Sequence, residues 1–487
     1  MPGIAGKKSS NIDIDFTLRK VFARDAFRPV QREVVTAALQ GHDVFLQAAT
    51  GFGKSLCFQL PAVVDFGITI VISPLLALMN NQISALRAAS IRVETINSTT
   101  PASIKNSVLN DLKSGHPLTR LLYVTPEYCQ MDHFRKHLRI VHEQKELARI
   151  AVDEAHCISE WGHDFRPSFK ELKWFKEEFP EVPVICCTAT ATSRVRDDII
   201  NTLGLDAEKL KSFTMTTSRP NLHYELRFTS DDEGEDRYDN FLAWIRNTHA
   251  RRADNAARSQ ELNQRNERAT NVPGIIYTWY RKDTEALTAR LQSDGIGAKA
   301  YHAGMSTEQK EDHLEGWVKN REGYDVIVAT TAFGMGIDKD NVRFVVHWQL
   351  PKSFEGYYQE AGRAGRDGKA SLCIMYYSRE DRDRAANMMQ REQEKQNNGK
   401  GQNRQAMINR AKSLQALISY CESVSSCRHK QIAKYFGEDA IPPCDWACDW
   451  HKDAKLLARR KDQGLANEEW IATQRQAGTY DNVGDYD

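Results

Sequence analysis

The stretch Ala48-Ala49-Thr50-Gly51-Phe52-Gly53-Lys54-Ser55 constrains this chain more than any other. It has the wording of a phosphate-binding loop, which needs a strand before it and a helix after it. Val44-Phe45-Leu46 reads as that strand and Leu56-Cys57-Phe58-Gln59-Leu60 as that helix. Glycines in the loop let backbone N–H groups turn toward phosphate, and the helix N-terminus adds the positive end of its dipole. Thr50, Gly51 and Gly53 then line the phosphates, Lys54 reaches the β- and γ-phosphates, and Ser55 holds magnesium. Ala48 stands where such loops usually carry their first glycine, so a glycine-containing surface turn is the competing reading.

The chain around this loop has 487 residues, 41% hydrophobic and 27% charged, which describes a globular protein of two or three domains. Its most apolar stretch, Gly67 to Met79, is too short to cross a bilayer and contains Ser73-Pro74. Lys7-Lys8-Ser9-Ser10 has no apolar core behind it, unlike a signal peptide. A membrane partner is therefore not expected. In the reducing interior that this implies, ten cysteines do not suggest a disulfide framework. A net charge of +1 gives no global attraction to nucleic acid, so any such binding needs a local groove.

From Asp13 to Thr217, buried apolar runs alternate with helical-period stretches, the pattern of a parallel sheet flanked by helices. Ahead of the loop, Phe27-Arg28-Pro29-Val30-Gln31 opens a helical stretch ending near Gly41. The Gln31 amide offers one donor and one acceptor, matching an adenine edge and selecting ATP, with Arg28 on the same approach. Arg24 either lies against the base face or is a flexible surface arginine. The strand Arg149 to Val152 delivers Asp153-Glu154, two carboxylates that are costly at a strand end unless a cation or a reaction uses them. Asp153 orients the magnesium shell and Glu154 polarises the attacking water; an exposed acidic turn is the alternative. Next, Trp161, Phe165 and Arg166 interleave aromatic faces with a guanidinium, a combination suited to single-stranded nucleic acid at roughly 1–3 kcal/mol per stacked base. A packing role for Trp161 competes with that reading. Val184 to Thr188 then runs into Ala189-Thr190-Ala191-Thr192, a hydroxyl-rich turn able to bond the carboxylate loop.

Loop, carboxylates, aromatic segment and Thr-Ala-Thr turn occur in the order and wording of the RecQ family of superfamily 2 DNA helicases. From about Phe16 to His451 the chain resembles the Bloom-type eukaryotic branch of that family. The resemblance implies an α/β fold of two RecA-like lobes, with parallel sheets flanked by helices, plus a small helical zinc-binding module. It implies ATP-driven 3′-to-5′ movement on single-stranded DNA, unwinding of duplex and forked DNA, and nuclear repair or recombination work with protein partners. The corresponding division is a tail at 1–15, lobe 1 at 16–217, lobe 2 at 218–378, a zinc-binding module at 379–455 and a polar, then acidic tail at 456–487.

Lobe 2 is expected to follow the linker Ser218-Arg219-Pro220-Asn221-Leu222, with Gly274 to Tyr277 as its first buried strand. The polar stretch Asn247 to Val272 reads as a solvated insertion. Tyr280 replaces the small hydroxyl that the family usually shows before the arginine, which leaves the DNA contact of Arg281 open. His302, in Ala300 to Gly304, is the other DNA candidate there. Val326 to Asp338 matches the family's coupling motif, in which Thr330 would contact DNA phosphates and Asp338 would face the nucleotide. In Gln359 to Gly368, arginines three apart after glycines can approach a phosphate from one helical edge. By resemblance Gln359, Arg363 and Arg366 act across the lobe interface, the arginines as fingers worth about 10³ to 10⁵ in turnover. A solvated basic turn is the alternative.

Met388 to Asn409 is rich in Gln, Asn and Lys and reads as a mobile hairpin or loop. Cys427 is followed after sixteen residues by Cys444-Asp445-Trp446-Ala447-Cys448-Asp449-Trp450-His451. Cys427, Cys444, Cys448 and His451 supply four ligands suited to a closed, structural zinc site, with His451 where the family usually has cysteine. Cys421 is the competing ligand, better placed for core packing. Relatives commonly continue into a winged-helix domain, and Lys452 to Asp487 is too short to bury another core, so a truncated or compact member is expected. Arg459-Arg460-Lys461 reads as a solvated helix face rather than an import signal. Two other functions stay open: a DNA-stimulated ATPase or translocase, or a DNA-binding or annealing protein, each with little autonomous unwinding. An RNA helicase shares the engine but fits the Trp161–Arg166 loop and the metal module poorly.

Overall fold

A computed structural model describes residues 13–159, 166–229, 234–265, 267–334, 339–397, 404–438, 444 and 448–475. Short apolar runs bounded by turn residues form most of its strands, the polar, mostly exposed edge strand Lys211–Thr214 being an exception. In lobe 1 these are β1 Val44–Gln47, β2 Ile68–Ile72, β3 Val93–Ile96, β4 Leu121–Val124, β5 Leu147–Val152, β6 Val184–Thr188 and β7 Lys211–Thr214. They lie in the order β3-β4-β2-β5-β6-β1-β7, every pairing parallel. The sequence of β2, Ile-Thr-Ile-Val-Ile, is buried at every position, as a strand covered on both faces by helices must be.

Lobe 2 repeats the plan. Its strands are β8 Leu222–Phe228, β9 Gly274–Tyr277, β10 Ala298–Tyr301, β11 Val326–Ala329, β12 Phe344–His347 and β13 Ser371–Tyr377. Their order is β10-β11-β9-β12-β13-β8, again parallel throughout. Parallel strands send all their C-terminal ends to one edge, so the loops that follow them gather there. This is the two-lobed α/β architecture, with a helical module, that the sequence pattern predicts.

Three stretches differ from expectation. The supposed insertion at 247–272 is largely helical, in Gly234–Asp254 and Ala256–Gln264, with Leu262 and Val272 buried. Apolar residues ahead of the polar run, Tyr238, Phe241, Leu242 and Ile245, seat the first helix on the sheet. Asn271 then makes buried amide bonds to Asn320 and Asp325, both at 2.8 Å. Of the stretch 388–409, expected as a mobile hairpin or loop, residues 388–397 and 404–409 belong to the helices Arg379–Asn397 and Arg404–Glu422, which pack on each other as the arms of a hairpin, while 398–403 lie outside the described residues. Runs of Arg, Gln, Glu and Lys have high helix propensity, and buried Ala385, Leu414, Leu417 and Tyr420 give the pair something to pack with. The stretch from 456, expected as a polar tail, is helical to Arg475 within Asp449–Arg475; Arg459 and Arg460 lie on a solvated helix face as expected, but Leu457 and Leu465 are buried. Gly464 allows this helix to approach β8 closely, since a Cβ there would stand 2.7 Å from the Phe228 Cβ.

The helical module shares its hydrophobic core with lobe 2. Leu417, Tyr420, Ile432 and Phe436 join Tyr224, Phe354, Tyr357 and Tyr358 in one cluster. Phe354 stacks on Tyr435 at 4.2 Å between ring centroids. The module also covers the exposed edge of β8: Cys448 bridges to Tyr224, and the Leu226 N–H donates to Asp449 at 3.0 Å. Among the described residues no helix is long and apolar enough to cross a membrane.

Candidate functional site

The phosphate loop leaves β1 and enters the helix Leu56–Val64. Gly51 and Gly53 have φ of +84° and +90°, the left-handed region in which a side chain is strained. Lys54 points back into the loop, its ammonium donating to the carbonyls of Ala48 at 2.9 Å and Ala49 at 3.5 Å. Ser55 occupies the helix N-cap position without making a capping bond. Arg28 donates to the Gly51 carbonyl. The Gln31 amide, expected to meet an adenine edge, is engaged with the loop itself. It donates to Phe52 and Gly53 carbonyls at 3.1 and 3.2 Å and accepts from the Arg28 N–H at 2.9 Å. Arg24 is exposed on the segment ahead of it.

Asp153 sits at the end of β5, buried, with Oδ2 accepting from Gln82 at 3.0 Å and Oδ1 from the Glu154 N–H at 3.1 Å. Gln82 is itself fixed by the Tyr123 hydroxyl at 2.8 Å and the Gln59 amide at 3.1 Å. Burial first, and the neighbouring Glu154 carboxylate second, push the Asp153 carboxyl up to about 6. A cation bound there would reverse both penalties. Glu154 has φ +51°, a left-handed conformation unusual for a non-glycine residue and concentrated at functional sites. Its carboxylate lies 3.3 Å from His156 Nδ1, which is 3.1 Å from the Thr188 hydroxyl. Thr188 bonds to Thr190, and the Thr190 hydroxyl accepts from Gln359 of lobe 2 at 3.2 Å. The expected link between hydroxyl turn and carboxylates is thus continued across the cleft.

On the lobe 2 side, the helix Phe354–Ala361 runs into a turn that carries both arginines. Gly362 faces Thr50, where an added Cβ would stand 3.6 Å from the Thr50 Cβ. Gly51 faces Arg366, and an added Cβ would meet its Cγ at 2.9 Å. Arg363 is buried beside the Tyr277 hydroxyl, and its Nε has no hydrogen-bond partner among the described residues. Asp338 lies outside the described residues. Lys54, Asp153, Glu154, Gln359 and Arg366 therefore lie around one interlobe cleft, while the described neighbours of the Arg363 side chain, Tyr277 and Gly334, belong to lobe 2.

Trp161 and Phe165 also lie outside the described residues. Arg166 donates to the Pro74 carbonyl at 2.8 Å, tying the end of its loop to the turn after β2. Arg281, His302 and Thr330 follow β9, β10 and β11, so all three sit at the same strand-end edge of lobe 2. Arg281 lies against Gly304, where an added Cβ would be 3.0 Å from its Nη1. His302 is buried with Nε2 3.1 Å from Glu285, and the Thr330 hydroxyl accepts from the Ala332 N–H at 3.4 Å. Tyr280, the departure from the family pattern, is exposed and donates to Met388 Sδ at 3.4 Å.

Cys427, Cys444, Cys448 and His451 bring one ligand atom each to within 4.8 Å of one another. Cys448 Sγ is 3.9 Å from the sulfurs of both Cys427 and Cys444 and 3.3 Å from His451 Nδ1. A tetrahedral zinc about 2.3 Å from each sulfur places sulfurs about 3.8 Å apart, so the cluster fits that ion. Cys421 packs instead with its sulfur 3.7 Å from Met375 Sδ.

Sequence reasoning missed several residues at the cleft. Gln82 has no motif signal, because its relation to Asp153 is made by β2 and β5 pairing. His156, directly after Asp153-Glu154-Ala155, carries no separate signal in the sequence, although it links Glu154 to Thr188. Arg219 was seen only as part of a linker, yet it donates to carbonyls of both lobes.

Two parallel-sheet lobes, with a phosphate loop on one facing paired arginines on the other, define a helicase-type motor fold. Family models match in the same order: DEAD/DEAH box helicase at residues 28–199, helicase conserved C-terminal domain at 256–368 and RecQ zinc-binding at 379–452. The chain belongs to the RecQ family of helicases. It is 40% identical to ATP-dependent DNA helicase Q5 of Rattus norvegicus, over 94% of this chain and 45% of that protein. It is 40% identical to ATP-dependent helicase SGS1 of Saccharomyces cerevisiae, over 92% of this chain and 29% of the relative. For RecQ-like DNA helicase BLM of Xenopus laevis the figures are 38%, 87% and 29%. Bloom-type and Q5-type relatives thus stand at nearly equal identity, and the chain spans less than half the length of each. Solved structures share the fold at low identity. One is DUF1998 helicase MrfA bound to DNA, with TM-score 0.57 and 19% identity over 78% of this chain and 52% of that one. Another is S. cerevisiae Dbp5 bound to RNA and ADP BeF3, with TM-score 0.54 and 15% identity over 91% and 96%.

Proposed function

We propose that this chain is an ATP- and magnesium-dependent DNA helicase motor that moves 3′-to-5′ on single-stranded DNA and separates duplexes. The observation that carries the reading is the close approach of Thr50-Gly51 on lobe 1 to Gly362 and Arg366 on lobe 2, which supports one nucleotide site between the two lobes. Lys54 and the loop N–H groups hold the phosphates, while Ser55 and Asp153 are the residues that would hold magnesium. When bound, that ion would supply charge neutralisation at the phosphates. Glu154 orients the attacking water and accepts its proton, with His156 holding the carboxylate in place. Arg363 and Arg366 stabilise charge on the transferred phosphoryl group. Gln359, bonded to Thr190, reports lobe closure to the turn beside the carboxylates.

Arg28, Gln31 and Arg24 form the approach to the base, with Gln31 exchanging its loop carbonyls for the adenine edge. Asp338 completes the nucleotide side of lobe 2. Single-stranded DNA crosses the strand-end edges, over Arg281, His302 and Thr330 on lobe 2 and the Trp161, Phe165, Arg166 segment on lobe 1. Alternation between open and closed cleft moves the two DNA grips in turn. Zinc in the cysteine-histidine cluster locks the module against β8 and takes no part in hydrolysis. The eukaryotic relatives support a nuclear place in repair or recombination, on single-stranded and forked DNA and with protein partners.

The test is ATP hydrolysis with and without single-stranded DNA, paired with unwinding of duplexes carrying 3′ or 5′ overhangs at one stated low salt concentration. DNA-stimulated hydrolysis with unwinding from the 3′ overhang alone is expected. Stimulated hydrolysis without unwinding makes the chain a translocase, and absent hydrolysis refutes the motor.

A further inference from the structure

The connector between the two sheets is gripped from several sides. Glu438, from the helical module, accepts from the Thr216 hydroxyl at 2.7 Å and from the Thr217 N–H. The Tyr358 hydroxyl donates to the Thr217 carbonyl at 2.9 Å. Just beyond this clamp, the Arg219 guanidinium reaches into the cleft. Its Nη1 donates to the Thr50 carbonyl of the phosphate loop at 3.0 Å and to Gly362 at 3.3 Å. Its Nη2 donates to the carbonyls of Ala364 at 3.0 Å and Gly365 at 2.9 Å. Asn221 steadies the same turn from below, its amide donating to Gly365 at 2.9 Å and Lys369 at 3.0 Å.

Those lobe 2 carbonyls frame Arg363 and precede Arg366. A turn following a helix has carbonyls without intrahelical partners, and its position depends on what satisfies them. A planar guanidinium presents several N–H groups in a fixed fork, so one side chain can set the spacing of carbonyls on two separate bodies. Arg219 donates to both the phosphate loop and the arginine-bearing turn. Its backbone belongs to neither lobe's sheet, and through Thr216 and Thr217 it is tied to the zinc-bearing module.

We propose that Arg219 is a positioning residue for ATP hydrolysis. It fixes the turn carrying Arg363 and Arg366 at working distance from the phosphate loop, and it passes the position of the linker, anchored by Glu438, into the nucleotide site. It touches no reacting atom. This role rests on the motor reading above and goes beyond it, because the arginines themselves do not explain how their turn is placed.

The test measures steady-state hydrolysis by the full chain at saturating single-stranded DNA for wild type, Arg219→Ala and Arg219→Lys. Misplacement of the arginine turn predicts a kcat fall of about 10- to 100-fold for Arg219→Ala, with the KM for ATP nearly unchanged because Lys54 and the loop remain. Arg219→Lys recovers part of the loss, since an ammonium is a point donor that cannot serve both sets of carbonyls. Circular dichroism and thermal melting check folding; should Arg219→Ala not fold, Arg219→Lys decides by the same kcat criterion. An unchanged kcat overturns the role, and so does a loss explained wholly by weaker ATP binding. An inactive wild type refutes the motor reading and this role together, whereas an active wild type matched by Arg219→Ala refutes this role alone.

Discussion

The two walls of the cleft are built differently. Lobe 1 holds its charged groups from within. Asp153 is bonded to Gln82, which is bonded to Tyr123 and Gln59, all on elements of the same sheet and its helices. Lobe 2 presents Arg363 and Arg366 on a turn whose carbonyls are held by Arg219 and Asn221 from the linker. One wall is preorganised, and the other is positioned by a connector that also touches the module. The difference teaches where control can enter: on the proposed reading, phosphate binding belongs to lobe 1, while assembly of the complete site depends on how the second wall is brought up.

Breaking each wall separately should expose this asymmetry. Lys54→Ala removes the charge at the centre of the preorganised wall and is expected to lower hydrolysis by about 10³-fold or more, with ATP affinity lost as well, measured as kcat and nucleotide binding. Gln82→Ala loosens Asp153 without touching nucleotide. Outer partners of metal-holding groups typically contribute about 10- to 100-fold, so a fall in that range, partly recovered by raising magnesium, is expected from a magnesium titration of activity. Removing zinc with a chelator, or changing Cys448→Ala, should lower the thermal midpoint clearly while hydrolysis at 25 °C falls far less, because the module supports lobe 2 rather than reacting. Equal losses of stability and turnover would contradict that division.

The smallest effect concerns lobe 2 alone. Burial pushes the Lys339 ammonium down to about 8, against 10.5 ordinarily, and it donates to the Val318 carbonyl at 3.0 Å. The unfolded chain then binds more protons than the folded one between these pH values, so stability contributed through this group rises with pH. Lys339→Met should therefore raise the melting midpoint at pH 7, with the advantage shrinking toward pH 10.

Much of this molecule was legible in its sequence, and the exceptions have physical causes. The loop around Lys54, the carboxylates after β5 and the ligand spacing at Cys444–His451 are local patterns, where chemistry fixes both residue type and separation. Strands such as Val184–Thr188 and Gly274–Tyr277 were readable because a parallel strand buried on both faces is continuously apolar. The helices over 247–264, 388–397 and 404–409 were not, because their outer faces are polar and the residues that seat them lie to one side in the sequence. Gln31 was given a ligand's role from its amide alone, whereas tertiary structure also turns that amide to the loop. Arg219 carried no signal, since its partners at Thr50 and Gly362–Gly365 are distant in sequence and are backbone carbonyls, which have no residue identity to read.

The central claim is that one nucleotide site is shared by both lobes. Its most direct test is hydrolysis by Arg366→Ala at saturating single-stranded DNA, with DNA affinity measured on the same preparation by fluorescence anisotropy. Hydrolysis is expected to be abolished while DNA binding stays close to wild type. Hydrolysis that persists, or DNA binding lost together with it, would contradict a site completed across the cleft.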